Sequence, residues 1–310
     1  MQKNFKMSSR RHIRLSTISE GCGKMKRILK GLILICGVIG MTGCGLNNEE
    51  TIYATSYPIE YLTEVLYEGH ATVSSIYPDG TNTEEYTLTD KQIEDYSKGT
   101  IFVYNGTTNE TQIARNLVNK NKDLKVIDAA YSLKYSNGPE ELWLSPSNYL
   151  MLATNIKDNL EEQVGTKYIN EEIEKNYDTL EEDLSIMDAT IRSIAKTAKE
   201  HGHGTIVAST NVFKFLEDYG FTVISLEEYQ LSSASLTTLQ NNFKSGTYKY
   251  LLVENTETTN DLINQITNNG GEAVVVNMMN TLTEEDRKNN ETYFTIMNDF
   301  ITDLRTITNY

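Results

Sequence analysis

Cysteine is scarce in this chain of 310 residues, which holds three. Three cysteines cannot build a disulfide framework. Two of them, Cys22 and Cys36, lie in the first 43 residues, and none follows Cys44, so no disulfide forms within the chain beyond that point. Histidine numbers four, and three of these lie beyond the leader: His70, His201 and His203. Basic residues are outnumbered, with 28 Lys and Arg against 43 Asp and Glu and a net charge of −15. Nucleic-acid binding draws on basic surface, so that class is excluded. The sequence lacks Gly-x-Ser-x-Gly, a phosphate-binding Gly-rich loop and His-Glu-x-x-His. Carboxylate pairs such as Glu84 and Glu141 have no sugar-binding aromatics beside them, as glycoside hydrolysis would need. The expectation is a binding protein, not an enzyme, with no organic cofactor.

What is present is long enough for one or two domains with real cores. Counting glycine, about 45% of the residues are apolar, an ordinary globular share. The charge is uneven. Residues 1–43 hold nine Lys and Arg against one acid, Glu20, a balance of +8, and the remainder carries −23. Met25-Lys26-Arg27-Ile28-Leu29-Lys30 reads as the positive region of a signal peptide, and Gly31 to Met41 as its apolar core. That run is too short for a comfortable membrane span. It ends in Met41-Thr42-Gly43-Cys44, which resembles the lipobox of bacterial lipoproteins, with Met41 where Leu is more usual. A thiol after small residues can take a diacylglyceryl group, and cleavage then leaves Cys44 as a lipidated N-terminus, palmitate being a typical acyl chain. An ordinary cleaved signal peptide or a signal anchor is the other reading of the same run. Residues 1–24 are polar, basic and without pattern, so Met25 is the expected initiator and 1–24 an upstream extension. Residues 25–43 form the signal peptide and 44–50 a polar tether.

From Thr51 onward, short apolar strands alternate with amphipathic helices. Strands are expected at 51–56, 71–76, 100–104 and 125–127, with helices near 59–68, 90–98 and 110–119. A second series has strands at 205–209, 221–225, 248–253 and 273–277, with helices near 212–219, 236–244, 258–268 and 292–307. Such alternation implies parallel sheets covered by helices on both faces. Gly220, Gly246 and the Gly270-Gly271 pair fall just past helices, where a left-handed cap is wanted.

Between the two series, Ile173, Tyr177, Leu180, Leu184, Met187, Ile191, Ile194 and Ala198 recur at spacings of four and three. This is one continuous apolar stripe, and no Pro or Gly interrupts 167–201. A helix of about 30 residues would be about 45 Å long. A coiled-coil dimer segment would show the same stripe, but two flanking α/β units fit an intramolecular spine better. The expected architecture is α/β: two lobes, each a parallel sheet flanked by helices, joined by one long rigid spine helix. The N-terminal lobe is 51–166, the spine 167–201 and the C-terminal lobe 202–310.

Four stretches carry a family likeness: Phe102-Val103-Tyr104-Asn105-Gly106, Trp143-Leu144-Ser145-Pro146, Phe213-Lys214-Phe215 before Tyr219-Gly220, and Tyr293-Phe294-Thr295-Ile296-Met297. With them, the chain from Ile52 onward resembles the zinc and manganese receptors of bacterial ABC importers, the metal-binding solute-binding lipoproteins. That resemblance implies a ligand held between two lobes, small lobe tilts on exchange, and a permease and an ATPase as partners. Its metal-ligand positions carry other residues here. Gly80-Thr81-Asn82-Thr83-Glu84-Glu85-Tyr86 puts Glu84 at the first His position, and Pro139-Glu140-Glu141-Leu142-Trp143-Leu144 puts Glu141 at the second. Ser209-Thr210-Asn211-Val212-Phe213 puts Thr210 at the third, and Glu291 stands at the fourth, the one position where the family's usual chemistry is kept. The family's His-rich scavenging loop is absent.

Imidazole selects zinc in such sites. Glu84, Glu141, Glu291 and the Thr210 hydroxyl are all oxygen donors, which suit Mn²⁺, Ca²⁺ or Mg²⁺. The expected cargo is a divalent metal, manganese favoured and zinc possible. Three converging carboxylates repel one another, so without a cation one should take up a proton or turn outward. A positively charged organic ligand is a further reading. His201 and His203 fit a helix C-terminus better than a metal, and His70 is expected to be solvated. Glu254 and Asn211 stand near the expected cleft. The sequence thus reads as a monomeric lipoprotein on the outer face of the cell membrane, held by lipid on Cys44. The competing reading is a diverged surface lipoprotein, an adhesin or interaction partner, with a lost metal site.

Overall fold

Strands whose two faces are both covered must be apolar at successive positions, and that pattern decides how this chain folds. A computed structural model describes residues 50–106, 108–164, 166–229, 233–255 and 261–309. The leader and Cys44 lie outside the described residues. The first series runs β1 (Thr51–Ala54), α1 (Tyr57–Leu66), β2 (Thr72–Ser75), α2 (Asp90–Tyr96), β3 (Ile101–Tyr104), α3 (Thr108–Lys120) and β4 (Lys125–Asp128). Three helices follow: α4 (Glu141–Leu144), α5 (Pro146–Val164) and α6 (Lys167–Glu200). The second series is β5 (Thr205–Ala208), a 3₁₀ helix at Asn211–Tyr219, β6 (Thr222–Ser225), α7 (Leu226–Tyr229), α8 (Ser233–Lys244), β7 (Tyr250–Glu254), α9 (Asp261–Asn268) and β8 (Glu272–Val276). It closes with α10 (Glu284–Lys288) and α11 (Tyr293–Thr308).

Each series makes one four-stranded parallel sheet, and the two share a topology. The strand orders are β2-β1-β3-β4 and β6-β5-β7-β8. Side chains alternate across a strand, and here the alternation sorts residues between cores. Ile101 and Val103 of β3 enter a large central core, while Phe102 joins Ile76 and Leu117 in a smaller cluster. In β5, Ile206 and Ala208 face the central core, and Val207 joins Leu239, Phe243 and Leu251 on the other side. The central core is one continuous cluster. It takes in Ile52 and Ile127 of the first sheet, Leu252 of the second, and residues from α5, α6 and α11.

The spine is α6, 34 residues long, and all eight residues of its expected stripe meet the central core; Tyr177 alone is only partly buried. Its N-terminal half touches the first lobe, where Asn176 Nδ2 donates to Leu66 O at 3.4 Å. Its C-terminal half touches the second, where Arg192 lies 4.8 Å from the Tyr219 ring centre and bonds Asp218 O at 3.2 Å. The spine is not solitary. The sequence reading assigns no helix to 146–164, yet α5 lies antiparallel against α6. Thr154 Oγ1 meets Tyr177 OH at 2.8 Å, Lys157 Nζ meets Glu174 at 2.6 Å, and Ser147 Oγ meets Asp188 at 2.8 Å. Tyr149, Leu152, Ala153, Ile156 and Leu160 of α5 are fully buried, which removes any exposed seam for a coiled-coil partner there.

Two substitutions two residues apart test which face of α6 carries the load. Leu184 is 1% exposed, so Leu184→Ala should cost about 2–5 kcal/mol in urea unfolding. Ile186 is 59% exposed, and Ile186→Ala should stay within about 0.5 kcal/mol of the parent. Equal losses at the two positions would contradict the assignment of the buried face.

Candidate functional site

In open α/β sheets, ligands bind beyond the carboxyl ends of the strands, where the strand order reverses. In the first lobe that point lies between β1 and β3. The chain leaves β1 through Thr55 and Ser56, and leaves β3 through Asn105 and Gly106. A chamber of about 420 Å³ opens there, and Ser56, Glu84, Asn105, Glu110, Glu140 and Asn280 are among the residues that line it.

Its lining is polar, and some buried polar atoms of its lining residues have no hydrogen-bond partner among the described residues. Asn105 is 1% exposed, and neither Oδ1 nor Nδ2 of its amide has a hydrogen-bond partner among the described residues. The Ser56 hydroxyl, in a residue 4% exposed, has none either. Buried polar groups in native proteins are nearly always paired, and these atoms are exceptions to that rule among the described residues. Glu110 sits in the first turn of α3, where a carboxylate faces the positive end of the helix. Its side chain turns back to accept the Asn105 backbone N–H at 2.7 Å. Burial pushes its pKa up to about 7, against the opposing pull of that bond.

Glu140 comes from the loop before α4. It accepts a bond from Asn280 Nδ2 at 3.1 Å. Burial raises its pKa, its own backbone N–H and Asn280 oppose the rise, and the carboxylates of Glu84 and Glu141 add to it. Gly138, two residues earlier, has φ of +150°, and a Cβ there would fall 2.6 Å from Val212 Cγ2 and 2.8 Å from Glu140 Oε2. Any side chain at 138 would therefore displace Glu140. Asn280 belongs to the segment after β8 and reaches across to the first lobe. Its backbone O accepts from Tyr57 N at 3.1 Å, and Met279 beside it holds φ of 60°.

The four expected metal-site residues do not come together. Glu84 is exposed at the chamber rim. Glu141 faces away from it and is 8% exposed. Its carboxylate accepts from Ser136 N at 3.0 Å, Asn137 N at 3.1 Å and Asn137 Nδ2 at 2.5 Å, and so pins the preceding loop. Thr210 is at the equivalent switch point of the second lobe, where its Oγ1 donates to Glu254 Oε1 at 2.6 Å. Glu291 accepts from Thr295 Oγ1 at 2.7 Å and lines a separate cavity with Tyr57, Tyr61 and Arg287. Among the described residues, no group of three or more His, Cys, Asp or Glu is arranged to hold a metal ion. His70 is not merely solvated; its Nε2 lies 2.7 Å from Glu172 Oε2 on the spine. His201 closes α6, with its backbone N–H bonded to Thr197 O, as a helix end requires. Asn211 bonds Glu227 through its backbone N–H, and its side-chain Oδ1 is buried without a partner.

The sequence reading passes over Asn105, Glu110, Glu140 and Asn280. Two signals for them were there to be used. Asn105 ends a strand at the switch point, and Glu140 precedes the residue taken for the ligand. A short helix starting at 141 turns successive side chains by about 100°, so of two adjacent acids only one can face the chamber.

Comparison with known proteins gives a consistent picture. The family described as "ZnuA: Zinc-uptake complex component A periplasmic" matches residues 52–307. The zinc-binding protein AdcA of Streptococcus pyogenes serotype M6 is 23% identical over 290 residues, covering 83% of this chain and 56% of its own length. The chain thus spans about half the length of the curated relatives it matches. The Zn(II)-bound ZnuA-like domain of Streptococcus pneumoniae AdcA superposes with a TM-score of 0.69 at 27% identity, over 84% of this chain and 100% of that domain. The metal-dependent lipoprotein YcdH of Bacillus subtilis shares the fold, with a TM-score of 0.69 at 21% identity over 84% of this chain and 99% of its own.

Glu110 gives the site a pH signature. Its folded-state pKa of about 7 lies above the ordinary value of 4.5, so the folded chain keeps the proton longer than the unfolded one. Stability is therefore full below about 4.5 and falls as pH rises through 7, by about 3 kcal/mol in all. Glu110→Gln keeps an acceptor for Asn105 and should flatten that dependence, raising the melting temperature at pH 8 more than at pH 5. An equal change at both pH values would contradict the burial of an ionisable group there.

Proposed function

Since the chain belongs to the ZnuA family of zinc-uptake solute-binding components, we propose that it is the extracytoplasmic receptor of an ABC importer and that its cargo is a divalent metal ion. The observation that carries this reading is the chamber at the first lobe's switch point, lined by carboxylates and amides and completed across the lobes by Asn280. Glu84 and Glu140 are its cation-facing groups. Oxygen donors led the sequence reading to favour manganese, but the relatives are named for zinc, so that preference has no support among them and zinc is the first ion to test. Glu141 supports the loop that presents Glu140, and Thr210 and Glu291 stand outside this chamber. The family match, which spans residues 52–307, favours this reading over an adhesin with a lost metal site.

The receptor works as a monomer with a membrane permease and an ATPase. Cys44 carries the lipid that holds it at the outer face of the cell membrane. No helix among the described residues is long and apolar enough to cross a membrane.

A ligand that binds only the folded chain stabilises it by about 2.7 kcal/mol at a free concentration of 100 Kd. Zn²⁺ should raise the melting temperature, and Glu84→Ala with Glu140→Ala should abolish the rise. Protein purified from metal-replete cells without stoichiometric divalent metal, and unshifted by Zn²⁺, Mn²⁺, Ca²⁺ or Mg²⁺ in any form offered, would overturn the metal reading. Cys44→Ser should release the chain from the membrane fraction; a variant that stays there would remove Cys44 as the anchor.

A further inference from the structure

Among the described residues, three other than glycine hold left-handed backbone, and two of them bracket one segment. Met279 has φ of 60° and Asn290 φ of 56°. An asparagine tolerates that conformation better than most residues, and a methionine poorly. Strained backbone of this kind persists only where its surroundings enforce it, and it gathers at ligand clamps and switch segments.

The stretch between the two, which contains α10, lies on the surface. Met279 is 1% exposed and Tyr293 is fully buried, both within the central core, but from 280 to 290 only Leu282 is buried. The stretch has a frame of its own. Thr283 and Asp286 cap α10 reciprocally, and Glu291 N donates to Asp286 O at 2.9 Å. It is fastened to the first lobe by polar bonds. Tyr57 N donates to Asn280 O at 3.1 Å, Gly80 N to Leu282 O at 2.8 Å, and Thr281 Oγ1 to Thr81 O at 3.2 Å. Asn280 Nδ2 donates to Glu140, and Arg287 to Asp79 and Glu60. Water can replace such bonds at small net cost. Few apolar anchors and many exposed polar bonds are the marks of a segment that opens by itself.

Its position gives such opening a consequence. Asn280, at one end, is a wall of the chamber, while Leu282, Arg287 and Asn290 wall a second cavity of about 520 Å³. The lobes share one core and cannot part without exposing it. A segment that lifts away from that core would open the chamber and leave the lobes joined.

We propose that residues 280–289 form a strap that lifts from the first lobe as one piece, turning at Met279 and Asn290 and latched by Arg287, and that this motion opens the chamber. The inference concerns access and holds for whatever solute the chamber takes.

Residue-resolved hydrogen exchange of the purified, ligand-free chain tests it. Tyr57 N and Gly80 N belong to the first lobe but donate to strap carbonyls. Both should exchange in step with the strap, at least about a hundred-fold faster than the amides of β3 and α6. Asn290→Val puts a branched side chain where the latched strap needs left-handed backbone. It should speed exchange at Tyr57 and Gly80 by about ten-fold and leave β3 and α6 unchanged. Arg287→Gln should act in the same sense. Trp143, the one tryptophan, lines the chamber and is 2% exposed, so its fluorescence reports the opening. Quenching by acrylamide should rise in both variants. If Tyr57 and Gly80 exchange only with the amides of β3 and α6, the strap does not lift. If either variant speeds exchange equally along the whole chain, the segment is part of the common fold and not a strap. Faster strap exchange with unchanged quenching of Trp143 would overturn its role at the chamber.

Discussion

A buried indole has to give its N–H to an acceptor, and in this protein that requirement ties the lobes together. Trp143, in α4, is 2% exposed, and its Nε1 donates to Met278 O at 2.8 Å. An indole N–H left unpaired there would carry the full cost of desolvation, about 1–3 kcal/mol. Met278 lies just past the last strand of the second lobe, while Trp143 belongs to the first. The Trp143 carbonyl in turn accepts from Tyr293 OH at 2.8 Å, and the Tyr293 ring stacks on Tyr149 at 3.9 Å. Through these contacts, the segment after β8 is laid on the first lobe in one register. That register puts Asn280, two residues beyond Met278, against Glu140. Remove the indole bond and the chamber loses its roof.

The same segment is held further along by charge. Arg287 donates to Asp79 at 2.7 Å and to Glu60 at 3.0 Å, and Glu60 is 7% exposed. Burial raises the Glu60 pKa while the Arg287 guanidinium lowers it. Removing either partner would leave the other charge poorly solvated, which is where a buried pair exacts its cost. Backbone bonds reinforce the clasp, with Gly80 N donating to Leu282 O at 2.8 Å. Beneath it, one apolar core runs from the first sheet through α5 and α6 to the second. Two lobes that share a core cannot swing apart without exposing it. Ligand entry is therefore left to what is not packed in that core: the exposed stretch around Glu84, and the Glu140–Asn280 contact, which is a single hydrogen bond.

The fold was legible in the sequence to a large degree because it rests on periodicity. Apolar runs at 101–103, 206–207 and 251–253 report strands covered on both faces, and the spine stripe from Ile173 to Ala198 reports a single long helix. The omission of α5 was not forced. Tyr149, Leu152, Ala153, Ile156 and Leu160 recur at spacings of three and four, and Pro146 suits a first helical position. The site was less legible, because ligand positions taken by family likeness specify a place along the chain and not a direction. Glu84 kept its place at the chamber. Glu141 held the expected position, but its carboxylate was needed by the amides of Ser136 and Asn137. Asn280 could not be read at all without the Trp143 bond that brings its segment across.

Glu140 and Glu141 show how a chain short of imidazole divides one task between two neighbours. A histidine that holds a metal through one nitrogen uses the other to fix its own orientation. A carboxylate that accepts three amide hydrogen bonds, as Glu141 does, has most of its acceptor capacity taken. Fixing the loop and facing the chamber therefore fall to different residues here. Glu141 pins the loop, Gly138 leaves the room, and Glu140 faces the chamber with one bond from Asn280. The result is one carboxylate at the chamber wall with a single side-chain hydrogen bond, beside a second that is locked in place. The acid excess of this chain thus has two parts: solvated carboxylates along the spine's outer face, and a few buried ones whose placement, not number, shapes the lining of the cleft.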